Sequence, residues 1–240
     1  MKKLPLLVTL IFISYYSFAQ DGTLDPSFGD NGKKAFQFYN DYSTIESIIY
    51  SNGKLFAIGL TDAPEGRTMT AVSFTADGQL DMDFAENGLL HPVDARSEAF
   101  KLIELPNETY LGVGSVSRGN LTELLMANYD NTGKLISNFG DSGIVREAYL
   151  DDSRLSFDKY ELRDVAFSEN NKIIAAGLHY NGMDNDILIV SYNDDGSPNM
   201  NFGDGGYIIP DFEEEGWQRV TTMALHEGSI YVGVNSLEDY

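Results

Sequence analysis

A chain of 240 residues, 42% apolar and 12% aromatic, is long enough and apolar enough to build one sizeable core. Its 37 Asp and Glu against 16 Lys and Arg give a formal net charge of -21, which repels phosphate backbones and anionic lipid and argues against nucleic acid and direct membrane-surface binding. With no cysteine, disulfides, thiolate metal sites and cysteine nucleophiles are excluded.

The first element is a leader. Met1-Lys2-Lys3 is a short basic start, Leu4 to Tyr16 is an apolar run, and Ser17-Phe18-Ala19 sets small residues where a signal peptidase reads before Gln20. The apolar run is too short to span a bilayer, so residues 1–19 are expected to be a cleaved signal peptide and 20–240 an exported body. Periplasm, cell surface and medium all remain open as its destination. No later segment is long and apolar enough to read as transmembrane.

The body repeats itself. Asp21-Gly-Thr-Leu-Asp-Pro-Ser-Phe28-Gly-Asp-Asn-Gly32 returns as Asp77-Gly-Gln-Leu-Asp-Met-Asp-Phe84-Ala-Glu-Asn-Gly88. It returns again as Thr132-Gly-Lys-Leu-Ile-Ser-Asn-Phe139-Gly-Asp-Ser-Gly143 and as Asp195-Gly-Ser-Pro-Asn-Met-Asn-Phe202-Gly-Asp-Gly-Gly206. In every copy the first glycine (Gly22, Gly78, Gly133, Gly196) lies six residues before the phenylalanine, and the last (Gly32, Gly88, Gly143, Gly206) four after it. Such self-similarity divides the body into units at approximately 21–76, 77–131, 132–194 and 195–240. The longer third unit carries its surplus around Asp151 to Tyr160, read as a loop insertion.

Four strand-like runs accompany the motif, rich in β-branched and aromatic residues and bounded by Gly, Asn and Asp. The first set is Lys33 to Phe38, Leu89 to Val93, Ile144 to Tyr149 and Tyr207 to Phe212; the second is Ile45 to Tyr50, Phe100 to Leu105, Leu162 to Phe167 and Val220 to Leu225. The third, Lys54 to Leu60, Thr109 to Ser115, Lys172 to Leu178 and Ser229 to Val234, holds a glycine at one matching place: Gly59, Gly114, Gly177 and Gly233. The fourth is Met69 to Thr75, Leu124 to Asp130 and Ile187 to Asn193. Four short strands per unit and no helical period predict an all-β fold, a β-propeller of four-stranded antiparallel blades with about four repeats, the last incomplete.

The recurring D-G-x-L-D-x-x-F-G-x-x-G signature, with K-L-F-A-I-G and T-A-V-S-F beside it, resembles the delta-60 repeat family of bacterial β-propellers across residues 21–240. The resemblance implies a secreted or surface scaffold, not a known enzyme class. Copies drift, with Ala85 for the middle glycine, Ile136 and Asn199 for the second aspartate and Pro198 for the leucine. The fourth unit stops at Tyr240 after its third strand, so the reading favours a piece of a longer propeller over a natural end; a half-ring that dimerises is the other solution. Lys33 to Phe38 is available as the strand that clasps the last blade, and open sheet edges invite self-association.

Chemistry-bearing motifs are sparse. Gly112 to Gly119 resembles a phosphate loop but runs from a strand into a polar turn, without the helix such a loop must open. Asp25, Asp30 and Asn31 could hold calcium; the preferred reading has Phe28 in the core and Gly29 and Gly32 in tight turns. Asp151-Asp152, Asp184 with Asp186, Asp194-Asp195 and Glu213 to Glu215 read as solvated loops, and His91, His179 and His226 have no metal-ligand spacing. Trp217, placed in the loop after Glu215, is either a carbohydrate platform or a packing residue. The expectation is a non-enzymatic binding or adhesion scaffold without cofactor, calcium being the alternative, whose partner is an extracellular protein or glycan. A propeller enzyme acting on extracellular glycans and a structural spacer are the rival readings.

Overall fold

The computed structural model describes residues 22–36, 42–64, 66–93, 95–149, 159–210 and 217–237. The leader, Asp21, Asp151-Asp152, Glu213 to Glu215 and Tyr240 lie outside the described residues. Within them the chain is all-β, its strands paired antiparallel within each meander, and no helix is long and apolar enough to cross a membrane.

The strands form successive meanders. β1 (Ser43–Ser51), β2 (Lys54–Ala63), β3 (Gly66–Thr75) and β4 (Leu89–Leu90) make the first sheet. β5 (Ser97–Glu104), β6 (Tyr110–Arg118), β7 (Leu121–Tyr129) and β8 (Ile144–Glu147) make the second; β9 (Lys159–Phe167), β10 (Lys172–Tyr180), β11 (Asn185–Asn193) and β12 (Tyr207–Ile208) make the third. A single parallel bridge between Thr122 and Lys159 ties the second to the third. β13 (Trp217–His226) and β14 (Ser229–Leu237) form a hairpin. Asn52-Gly53 takes the positive φ values that a tight β1–β2 turn needs.

Sequence repeat and sheet are out of phase. Each motif, with the short strand behind it, closes the sheet that precedes it, so Leu89–Leu90 pairs with β3 and Ile144–Glu147 with β7. The first of these is shorter than expected because side chains replace the ladder beyond Leu90: Thr70 Oγ1 meets His91 Nδ1 at 3.0 Å, and Thr68 Oγ1 donates to the Val93 carbonyl at 2.9 Å. Residues 33–36 form no strand, only a bridge from Gly29 to Lys33. Phe36 turns instead onto Phe74, ring centroids 4.4 Å apart, because Leu55, Leu80 and Leu89 offer it an apolar face there. This segment therefore covers part of the first sheet and does not clasp β14.

The cores lie between sheets. Phe56, Ile58, Met69 and Ala71 of the first meet Ala99, Leu102, Tyr110 and Leu125 of the second. Leu111, Val113, Leu124 and Met126 on the second sheet's other face meet Leu162, Val165, Ile173 and Val190 of the third. Tyr110 to Val116 is buried on both faces, which is why β6 reads as a continuous run without alternation.

The β13–β14 hairpin departs from this pattern. Counting from Gly59, Gly114, Gly177 and Gly233, Ile230 and Val232 match Phe56 and Ile58, which face the following sheet, yet they pack back onto Ile174 and Ala176 of the third. The opposite face carries Thr221, Ala224, Ser229 and Tyr231 and stays exposed. Burying the more apolar face is the favourable choice for a two-stranded element. Two further expectations shift: Lys159 and Tyr160 belong to β9, not to the insertion, and Trp217 opens β13, where it stacks on Tyr180 at 5.8 Å.

Candidate functional site

The first strands of successive sheets, β1, β5, β9 and β13, lie against one another. Each carries a β-bulge in its pairing with the second strand, leaving Glu46, Phe100, Arg163 and Thr221 out of register. A bulge bends the strand and re-aims the extra side chain. All four line one cavity of about 310 Å³, together with Arg219, Val220 and Asn235.

Glycine makes this possible in the first three sheets. A Cβ on Gly59, Gly114 or Gly177 would stand 2.0, 1.9 or 1.8 Å from the carbonyl oxygen of Thr44, Glu98 or Glu161, so only hydrogen fits opposite the bulge. In the hairpin the bulge falls one residue earlier, and the same position on Gly233 meets only the Thr222 side chain at 3.0 Å.

The cavity is cationic in an acidic protein. The Arg163 guanidinium lies over the Phe100 ring, 3.8 Å from its centroid, and pairs with Glu161 two residues back on the same strand face. Burial pushes the Glu161 carboxyl up, opposed by Arg163 and, from across the cavity, by Arg219. Arg219 is exposed and makes no hydrogen bond or ion pair among the described residues. Next to the bulge, buried Asp164 accepts from the Met223 amide at 2.7 Å and Thr222 Oγ1 at 3.1 Å, and pairs with Lys101 at 3.2 Å. One carboxylate thus joins β5, β9 and β13 around the cavity.

The motif residues lie away from it and link the sheets. Phe84 and Phe139 are fully buried, while Phe28 and Phe202 are half-buried. The middle amides of three motifs donate to the first carbonyl of the next: Gly29 to Asp77 at 2.8 Å, Ala85 to Thr132 at 2.7 Å and Gly140 to Asp195 at 2.8 Å. Cβ positions on Gly78, Gly133 and Gly196 would lie 2.9, 2.7 and 2.9 Å from Phe28, Ala85 and Gly140, whereas Gly22 has open space. Gly32, Gly88, Gly143 and Gly206 all take positive φ at the closing turn.

The other candidates are scattered. Asp25 accepts from Ser27, and those hydrogen bonds hold its carboxyl below the ordinary range; Asp30 stands exposed, and Asn31 takes a left-handed turn. His91 lies beside the first sheet, His179 is buried against Tyr160, and His226 is exposed at the hairpin turn. Asp186 stands 3.9 Å from His179 Nδ1, and Asp195 is engaged by Ser197. No three His, Asp or Glu side chains converge as a ligand set among the described residues. From Gly112 to Gly119 the chain runs through β6 into the turn before β7, with no helix behind it.

Sequence reasoning missed the cavity because its lining residues differ chemically from repeat to repeat. The recurrent glycine, which stands opposite the bulge in the first three sheets, was the usable signal. No family model matches the chain, and no curated protein matches it.

Proposed function

We propose that this chain is an exported, non-enzymatic binding scaffold, built as a delta-60-type β-propeller and contacting its ligand at the cavity where the bulges meet. The leader at 1–19 supports export, and the repeated motif with its recurring sheet-on-sheet packing supports the propeller reading. The observation that carries the functional reading is the convergence of Glu46, Phe100, Arg163 and Thr221, each out of register on its own strand, upon one cavity. Side chains that vary at a fixed structural position are what a binding scaffold changes to alter its ligand.

Arg219 and Asn235 offer donors, Phe100 an apolar surface, and Arg163 a second cation already stacked and paired. This set suits a ligand bearing a carboxylate, such as an acidic glycan or an acidic peptide. Among the described residues Glu46 is the one carboxylate that lines the cavity, beside two arginines, an arrangement that suits binding of an anion. The test is an array of acidic and neutral glycans and peptides probed with the protein and with Arg219→Ala. A carboxylated ligand whose affinity falls at least about tenfold in the variant supports the reading. Failure of every carboxylated probe to bind, or binding indifferent to Arg219→Ala, contradicts it.

A further inference from the structure

The bulge-lined cavity carries charge on more than one wall, and only part of that charge is answered within the chain. Around it Glu161 pairs with Arg163, Asp164 with Lys101 at 3.2 Å, and Glu98 with Arg67 at 3.3 Å. Glu46 and Arg219 line the cavity and are exposed. Among the described residues neither has a hydrogen bond or an ion pair, and they do not pair with each other.

The fold brings these two charges to the cavity from opposite ends of one row. The first strands follow one another as β1, β5, β9 and β13, each lying against the next, with Glu46 on the first and Arg219 on the last. Glu46 is the bulge residue of β1, between Ile45, which pairs with Gly59, and Ser47, which pairs with Ile58. The bulge frees it from the ladder and aims it at the cavity. Arg219 stands directly across the hairpin from Asn235, which lines the same cavity, so that end offers a guanidinium beside an amide. Between the ends lies Phe100 with the Arg163 guanidinium stacked on it, a cation that Glu161 already answers.

We propose that the cavity takes a small zwitterion, its carboxylate held by Arg219 and Asn235 and its ammonium by Glu46. This rests on the binding function proposed above and adds a second recognition element to it. A ligand with a carboxylate alone strips water from Glu46 and sets a like charge in the same cavity, and a ligand with an ammonium alone does the same to Arg219. A molecule bearing both groups answers both. The cavity of about 310 Å³ equals about ten waters at ~30 Å³ each, which suits a ligand the size of an amino acid.

The test is a ruler of aminocarboxylates: glycine, β-alanine, 4-aminobutyrate and 6-aminohexanoate, each set against the carboxylate and the amine of the same chain length. They are titrated into the purified full chain and followed at its backbone amides by nuclear magnetic resonance. At least one aminocarboxylate should bind about fivefold or more tighter than both of its analogues, shifting amides of β1 and β13 together. Glu46→Gln should remove that preference and leave the simple carboxylate bound as tightly or more so, with circular dichroism unchanged because Glu46 is exposed and unpaired. Arg219→Ala should weaken the aminocarboxylate and the carboxylate alike. An amino group that adds nothing, or a preference that survives Glu46→Gln, overturns the zwitterion, while carboxylates that bind and depend on Arg219 leave the proposed binding function standing. No binding of any aminocarboxylate at about 10 mM also overturns it, and the array of acidic glycans and peptides then judges the binding function by itself.

Discussion

The ring of Phe28 stands where a side chain on Gly78 would have to go, 2.9 Å from that Cβ position. The relationship explains why the motif opens on glycine. Gly78, Gly133 and Gly196 receive the preceding motif and hold positive φ, so an alanine there meets both backbone strain and a clash. We predict that Gly78→Ala, Gly133→Ala and Gly196→Ala each destabilise by about 2–4 kcal/mol in denaturant titrations. Gly22→Ala, with open space around it, should lose only about 1 kcal/mol. Equal losses at all four positions would refute the motif-to-motif contact.

Ala85 supplies the converse. It occupies the middle position filled by Gly29, Gly140 and Gly203 in the other copies, with φ at 45°. A methyl group in that region is strained without gain, so Ala85→Gly should raise stability by about 0.5–1 kcal/mol, read as a shift of the urea midpoint. An unchanged or lowered midpoint would mean that the Ala85 methyl against Gly133 matters more than the backbone.

Asp81 provides a pH signature. Burial pushes its carboxyl up, but hydrogen bonds from Lys54 at 2.6 Å and Ser73 at 3.0 Å outweigh that and hold it below the ordinary range. A carboxyl depressed on folding contributes stability above its unfolded pKa and loses it as pH falls through the folded value. Asp81→Asn should therefore be less stable than the parent at neutral pH, and the gap should close on acidification below the ordinary aspartate range. A gap that persists unchanged into acid would show that charge is not what Asp81 contributes.

Asp164 holds the hairpin to the body. Removing it orphans the Met223 amide, Thr222 Oγ1 and Lys101 at once. Asp164→Ala should cost about 3–5 kcal/mol, with amide exchange in Trp217–His226 accelerating before that of β6. Asp164→Asn, which keeps an acceptor oxygen, should lose less.

Much of this was legible in the residues themselves. The strand runs were, because Asn52-Gly53 and similar turns punctuate β-branched segments and because the motif fixes the period. The phase of the sheets was not, since a repeat in sequence does not say which of its strands pairs forward and which back. The turn of Phe36 onto Phe74 and the reversed face of Ile230 and Val232 are decided by which apolar surface lies uncovered nearby, a tertiary matter. The cavity was hidden most thoroughly, because Glu46, Phe100, Arg163 and Thr221 share a structural position and no chemistry.

Amide hydrogen exchange at the middle position of the four motifs tests the central claim, that each motif is fastened to the next. The Gly29, Ala85 and Gly140 amides have acceptors in the following motif, while Gly203 has none among the described residues. Ala85 and Gly140 should exchange only through opening of the whole stack, with Gly203 exchanging orders of magnitude faster. Exchange at Ala85 and Gly140 as fast as at Gly203 would contradict the account.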